Sequence, residues 1–379
     1  MAFRVPTRVE MRSGCAADAG RVCAELGGRR ALLAHDAGLA GSPGLESVAA
    51  SLADAGLSCE RTSDIESNPR ISTVERIAEL VRASGCDVVV GMGGGSALDA
   101  AKAAAMLATN AGPLESYVGR NRYPAPPLPF VAVPTTCGTG SEVTWVSVIT
   151  DPREGVKLSV KGETMFPAWA LVDADLLRTL PAQVVAWTAL DALTHALEAR
   201  TCRFANPVSD ALAERAAALV FEHLRAGWTD IGGDAAAREG LMQAATLAGL
   251  AFGNADVAGV HCLSETLGGR FDVPHGMANA MLLAPVLRHH LPVVAPKLAP
   301  IAGAAGGTPD GDELSRAESV LAAVERLVRD VGIPPFSSLG IEPRHFPWIA
   351  QRAAENNSNP ANPRPMSAGD YVRILESVA

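Results

Sequence analysis

Asp87-Val88-Val89-Val90-Gly91-Met92-Gly93-Gly94-Gly95-Ser96, followed by a run of small residues from Ala97 to Leu107, decides the fold. The valines read as a β-branched strand that runs straight into a glycine turn, and the small residues read as a helix. Strand, glycine turn, helix is an arrangement that binds phosphate. Glycines let the backbone approach the anion, and the free N–H groups and dipole at the helix start favour negative charge. Ser96 can cap that helix or donate to a phosphate oxygen. The run is not GxGxxG and comes too late in the chain for a first βα unit. A tight turn with close helix–sheet packing accounts for it equally well without a ligand.

The flanking sequence has the same alternation. Arg30-Ala31-Leu32-Leu33-Ala34-His35 reads as a short buried strand ending at Asp36. A helical pattern follows over Gly44–Gly56, then a strand at Leu57–Glu60, a helix over roughly 71–84, and a strand at Pro129–Val133. Strands alternating with helices imply a mostly parallel sheet covered on both faces. From about Pro181 the pattern turns helical, with long Ala/Leu-rich runs at Ala211–Leu224 and Ala235–Ala251. A Gly/Ala/Pro loop is expected at Ala302–Gly311, and an irregular stretch at Asn356–Pro365 before a last short helix. A chain of 379 residues with 48% hydrophobic content exceeds one ordinary compact unit. The expectation is an α/β dinucleotide-binding domain over 1–180 and a helical metal-binding and substrate domain over 181–379.

Composition excludes several function classes. Lys and Arg total 32 against 41 Asp and Glu, a net charge of −9, with a pI near 5.4. An acidic surface argues against nucleic acid or an anionic membrane as partner. No uninterrupted apolar run is long enough to span a bilayer, and Met1–Pro6 lacks the apolar core of a signal peptide. Seven cysteines, an odd number without a CxxC pair, suit reduced thiols in a cytoplasm.

Two further features carry chemistry. Pro134-Thr135-Thr136-Cys137-Gly138-Thr139-Gly140-Ser141-Glu142-Val143-Thr144 is a second hydroxyl- and Gly-rich loop after a strand. Ligands of open parallel sheets bind beyond the carboxyl ends of strands, so two such loops frame one cleft. Asp36, at another carboxyl end, suits either an adenosine ribose, where it would repel a 2′-phosphate and favour NAD(H), or a turn or cap. Asp191 and His195 stand four apart in an Ala/Leu-rich segment, one turn apart on one helix face. With His261 and His275 they make a carboxylate and three imidazoles, a set that suits Fe(II) or Zn(II). Cys137 and Cys262 lie in these motifs and read as packing residues.

Together these motifs resemble the iron-containing (group III) alcohol dehydrogenases. The resemblance begins at Val5-Pro6-Thr7-Arg8-Val9, runs through Gly91–Lys102, Pro134–Thr144, Asp191–Ala199 and Pro274–Ala280, and ends at Asn362-Pro363-Arg364-Pro365. It implies an N-terminal nucleotide-binding α/β domain and an all-α C-terminal domain, the architecture of dehydroquinate synthase, with the active site between them. It implies that Asp191, His195, His261 and His275 hold the metal. It implies that Asp36, Asn68, Gly94, Gly95, Ser96, Thr135, Thr136, Thr139, Val148 and Lys157 line the dinucleotide site. The implied cofactors are NAD, with NADP as alternative, and Fe(II), with Zn(II) as alternative.

Two departures stand out. Members of the family often carry a second His four residues after the third ligand, and this chain has Glu265 there. Glu265 could relay a proton, orient a ligand, meet a polar substrate group or be structural. Gly268–His275 resembles the maleylacetate reductase branch, whose members typically replace the Asp ligand that is kept here as Asp191.

The resemblance therefore implies hydride transfer between NAD(P)H and a small aldehyde/alcohol pair, as an aldehyde reductase. Arg153, Arg270 and Arg364 raise an anionic aldehyde as substrate. The alternatives are a metal- and NAD-dependent sugar-phosphate cyclase (a lyase) of the dehydroquinate synthase type, or a maleylacetate reductase-like enzyme. The expected partner is a small molecule, with neither nucleic acid nor membrane, and a homodimer or larger homo-oligomer is the default.

Overall fold

The computed structural model describes residues 3–307 and 310–379. Its strands are β1 (Arg8–Met11), β2 (Arg30–His35), β3 (Ser58–Thr62), β4 (Val88–Gly93), β5 (Gly119–Arg120), β6 (Phe130–Pro134), β7 (Val146–Asp151), β8 (Val156–Lys161) and β9 (Trp169–Val172). Its first helices are α1 (Ala19–Glu25), α2 (Pro43–Asp54), α3 (Ile71–Ser84) and α4 (Gly95–Thr109). The later ones are α5 (Ala182–Thr201), α6 (Pro207–Asp230), α7 (Ala235–Phe252), α8 (Gly259–Phe271), α9 (His275–Leu298), α10 (Glu313–Asp330), α11 (Phe346–Glu355) and α12 (Ala368–Val378). The chain forms two compact units. One is Val5–Thr136 with Gly140–Arg178; the other is Thr179–Ala379 with Cys137–Thr139 and residues 3 and 4.

The first unit is built on a six-stranded parallel sheet in the order β1-β9-β6-β4-β2-β3. Ala31 lies opposite Val88 and Leu33 opposite Val90, which in turn pairs with Val131. Alternate residues serve opposite faces. Leu32, Ala34, Val89 and Ala132 pack with α3 and α4, while Ala31, Leu33, Val88, Val90 and Val131 pack with α1 and α2. Burial on both faces explains why these strands read as continuous apolar runs. Each buried valine or leucine contributes about 1.5–3 kcal/mol. Gly91 lets α4 lie close: a Cβ there would come 2.8 Å from the Phe130 ring and 3.2 Å from Ala101 Cβ.

The α/β and helical fold classes agree with expectation, and β2 and α3 fall where expected. The strand expected at Leu57 starts at Ser58 instead, because the Leu57 N–H still closes α2 by donating to Leu52 O. Two features differ. β1 and β9 complete the sheet at one edge, and a second small sheet, β5-β8-β7, stands beside it with β7 and β8 antiparallel.

The second unit is helical throughout. α9 continues through Pro285, Pro292 and Pro296, and the expected irregular stretch holds one short 3₁₀ turn at Asn359–Ala361. Thr308 and Pro309 of the expected loop lie outside the described residues. Among the described residues, no helix is long and apolar enough to cross a membrane, and all seven cysteines are free thiols.

Candidate metal centre and nucleotide-binding segments

Helix α5 carries Asp191, His195 and Glu198 at i, i+4 and i+7, so all three share one face. α8 supplies His261 and the first residue of α9 is His275. One ligand atom from each of Asp191, His195, His261 and His275 lies within 4.8 Å of the others. Asp191 Oδ1 stands 3.8 Å from His195 Nδ1, 4.0 Å from His261 Nε2 and 3.7 Å from His275 Nε2. Three of the four are buried, and the His275 side chain keeps 26% exposure, the one opening in the ring.

The surroundings fit a divalent ion. His195 Nδ1 is buried with no hydrogen-bond partner in the protein, an orphan that a metal would satisfy. Burial pushes the His195 pKa down to about 4, leaving a neutral imidazole, the form that ligates. Its ring stacks on Phe252 at 4.3 Å. His261 Nδ1 lies 2.6 Å from Glu198 Oε2, which places the proton on Nδ1 and leaves Nε2 towards Asp191. Glu198 also accepts the backbone N–H groups of Ala258 and Val260 at 2.9 and 2.7 Å. Burial opposes charge on this pair, but the hydrogen bonds outweigh it: Glu198 is held below the usual carboxylate range and His261 is raised.

Asn279, fully buried one turn into α9, points its amide nitrogen at Asp191 Oδ1 (2.6 Å), His261 Nε2 (3.3 Å) and His275 Nε2 (3.2 Å). Gly276 permits this convergence, since a Cβ would overlap the Trp187 carbonyl of α5. Cys137 and Cys262 are buried, and burial pushes Cys137 up to about 11 and Cys262 well above the ordinary thiol range, so neither is a nucleophile at neutral pH. Segment 137–139 belongs with this unit because Cys137 Sγ meets Thr188 Oγ1 at 3.3 Å and Gly138 fits against the Thr188 backbone.

In the α/β unit, Asp36, Gly94, Thr135 and Thr136 gather at the carboxyl ends of the adjacent strands β2, β4 and β6. Asp36 Oδ2 accepts the Gly94 N–H at 2.7 Å, and burial pushes its carboxyl above the usual range. Asp36 stands at the N-cap of the 3₁₀ turn that follows it and its carbonyl accepts the Leu39 N–H at 3.0 Å, but its side chain makes no cap bond. Gly93 has φ +152°, and a Cβ there would overlap the Asp36 carboxylate. The Thr135 N–H donates to Gly93 O at 2.9 Å, and the Thr136 methyl faces Gly94. Gly95 and Ser96 open α4.

Two of the remaining positions fall on the small hairpin. Val148 lies in β7, and Lys157 in β8 pairs with Thr150. Asn68, with a left-handed φ of 55°, precedes Pro69, whose carbonyl accepts the Thr150 N–H. Thr139 groups with the helical unit.

Sequence reasoning missed two groups as functional. Glu198 was legible as the third member of the α5 face. Lys102 and Asp99, on α4, bind the hairpin to the glycine turn. The fully buried Lys102 ammonium donates to Ser141 O (2.7 Å), Ser141 Oγ (2.8 Å), Val146 O (2.9 Å) and Thr144 O (3.1 Å). Asp99 accepts from Ser141 Oγ at 2.6 Å and from the Val148 N–H at 2.9 Å. A lysine amid the alanines of a buried helix was the available signal. Glu265, in contrast, sits on α8 with Oε2 accepting from Asn356 Nδ2 at 2.6 Å.

The arginines that raised an anionic substrate are engaged elsewhere. Arg153 pairs with Asp151 and Glu115, Arg270 lies over the Trp348 ring, and Arg364 donates to the His289 carbonyl.

Residues 6–174 match the model of the iron-containing alcohol dehydrogenases, and residues 185–379 match that of the family's C-terminal domain. The chain belongs to the iron-containing alcohol dehydrogenase family. It is 38% identical to a 1,3-propanediol dehydrogenase of Citrobacter freundii, over 94% of this chain and 93% of the relative. It is 33% identical to an NAD-dependent methanol dehydrogenase of Bacillus methanolicus, over 99% of each. The crystal structure of a 1,3-propanediol oxidoreductase superposes with a TM-score of 0.96 at 36% identity, covering 100% of this chain and 99% of the other. As a member of this family the protein is an enzyme, an oxidoreductase of the alcohol dehydrogenase type, and the comparisons favour that class over the cyclase.

Proposed function

We propose that this protein is a metal- and NAD-dependent dehydrogenase interconverting a small alcohol and its aldehyde, with NADH and a proton as the other products of oxidation. Its metal would be held by Asp191, His195, His261 and His275. The observation that carries the reading is the convergence of these four within 4.8 Å around an orphaned, neutral His195 Nδ1. Iron is the family's metal, and the ligand types also admit Zn(II).

When bound, the ion supplies a Lewis acid to the substrate oxygen and the nicotinamide supplies or takes up hydride. The chain's own residues do the rest. Glu198 fixes the tautomer and direction of His261. Asn279 and Gly276 set the approach of α9 to α5. Burial of Asp191, His195 and His261 keeps water from three sides and preserves the strength of charge interactions. In the α/β unit we assign the dinucleotide to Asp36, Asn68, Gly94, Gly95, Ser96, Thr135, Thr136, Val148 and Lys157; Thr139, which groups with the helical unit, is assigned to it on the resemblance alone. The half-buried Asp36 carboxylate supports NAD over NADP, because a 2′-phosphate beside it would meet a like charge. With Arg153, Arg270 and Arg364 engaged, an anionic aldehyde loses its sequence-level motive, and we favour a neutral one.

The test is NADH oxidation by metal-stripped protein reconstituted anaerobically with Fe(II) or Zn(II), against short aldehydes. Metal-dependent turnover is expected. Metal and NADH binding without any net loss of NADH would overturn the dehydrogenase in favour of a cyclase. Sedimentation of the same protein tests the homodimer we carry as part of this reading.

A further inference from the structure

Resting on the dehydrogenase reading, we propose that Glu265 selects the substrate: it favours a neutral aldehyde/alcohol pair with a hydroxyl donor a carbon or two beyond the reacting centre, and rejects anions. Glu265 stands four residues after His261 on α8, so their Cβ atoms are neighbours, about 5–6 Å apart. Helical side chains lean back towards the helix N-terminus, which carries the carboxylate over the turn that bears His261.

Its orientation is set from outside α8. Asn356, the residue that ends α11, donates to Oε2 at 2.6 Å and is the one hydrogen-bond donor to Glu265 among the described residues. An ionised carboxylate accepts at both oxygens and donates from neither. Oε1 therefore remains to accept a hydrogen bond, and Glu265 is half-buried. A substrate hydroxyl satisfies it. A carboxylate, sulfonate or phosphate there cannot, and meets a like charge where solvent screening is reduced. The three arginines considered above are paired or stacked elsewhere.

The experiment compares three alcohols of one length: 1-propanol, 1,3-propanediol and 3-hydroxypropanoate. The wild-type protein, loaded with metal and supplied with NAD, is set against Glu265→Gln. Glutamine keeps an acceptor for Asn356 and removes the charge, so folding is preserved. The expected kcat/KM order in wild type is diol, then propanol, then the anion. In Glu265→Gln the preference for diol over anion should fall by about tenfold or more. An unchanged preference overturns the proposal.

A second readout does not need turnover. Protein loaded with Co(II) is titrated with 3-hydroxypropanoate and with 1,3-propanediol, and the visible spectrum is followed. The substitution should tighten the anion relative to the diol, and equal relative affinities in the two proteins also overturn the proposal. If neither protein oxidises any alcohol while the Co(II) titration shows the shift, the dehydrogenase reading fails and the selectivity of Glu265 stands.

Discussion

Glu198 Oε2 and His261 Nδ1 meet at 2.6 Å inside the helical unit, and the same carboxylate closes on the N–H groups of Ala258 and Val260. One side chain of α5 thus fixes both the entry into α8 and the ring of its histidine. Glu198→Gln keeps the volume but turns an amide N–H₂ towards donors. Metal affinity should fall about 10–100-fold, as for other partners of metal-ligating histidines. Competition with a chromogenic chelator measures it, with far-UV circular dichroism as the check on folding. Unaltered affinity would remove Glu198 from the site.

Metal bound only by the folded state must stabilise it. At free ion one hundred times the dissociation constant, the gain is about 2.7 kcal/mol. Chelation should therefore lower the unfolding temperature, and re-addition of Zn(II) should restore it. Asp191→Ala removes the one carboxylate among the four ligands and should abolish the shift. Scanning calorimetry with and without ion separates this from a general loss of stability. A shift retained in Asp191→Ala would mean the ion binds elsewhere.

Much of this site was legible because its signals are local. Asp191 and His195 are one turn apart, and the valines of β4 run into three glycines. What was missed depends on distance or on an assumed regularity. Glu198 finds its partner 63 residues away, so no window around it announces the bond. Lys102 looks like a surface lysine until α4 is packed against the sheet. The hairpin alternates openly in Val156-Lys157-Leu158-Ser159-Val160-Lys161, but an expectation of strand, helix, strand passes over an antiparallel pair. α9 keeps its course through three prolines because tertiary packing outweighs a local breaker.

Lys102 offers a test of how the nucleotide segments are joined. Its ammonium holds three carbonyls and the Ser141 hydroxyl, and Asp99 beside it carries the Val148 N–H. Burial pushes Lys102 down to about 8 and Asp99 upward, so each charge depends on its surroundings. Lys102→Met strands three carbonyls and the Asp99 charge, a loss of about 3–5 kcal/mol. Lys102→Met/Asp99→Asn should recover part of it. Urea unfolding gives the stabilities, and NADH fluorescence should show weaker binding in the single variant. Metal affinity, set in the other unit, should not move.

His290 gives the pH dependence a direction. It is 1% exposed, its Nε2 meets Asn362 Oδ1 at 3.2 Å, and its Nδ1 has no partner in the protein. Burial, with His289 adding to it, pushes its pKa down to about 4, against about 6.5 in an unfolded chain. Between these values the unfolded state binds a proton that the native state refuses. Stability therefore rises with pH across that window and is lost as pH falls from about 6.5 towards 4. The contribution reaches about 3 kcal/mol at the acid end, from the difference in the two pKa values. His290→Asn keeps a polar group for Asn362 and removes the titration. Its urea midpoint should fall less between pH 7 and pH 5 than that of the wild type, even if it starts lower. Parallel curves for the two proteins would show that the acid sensitivity arises elsewhere.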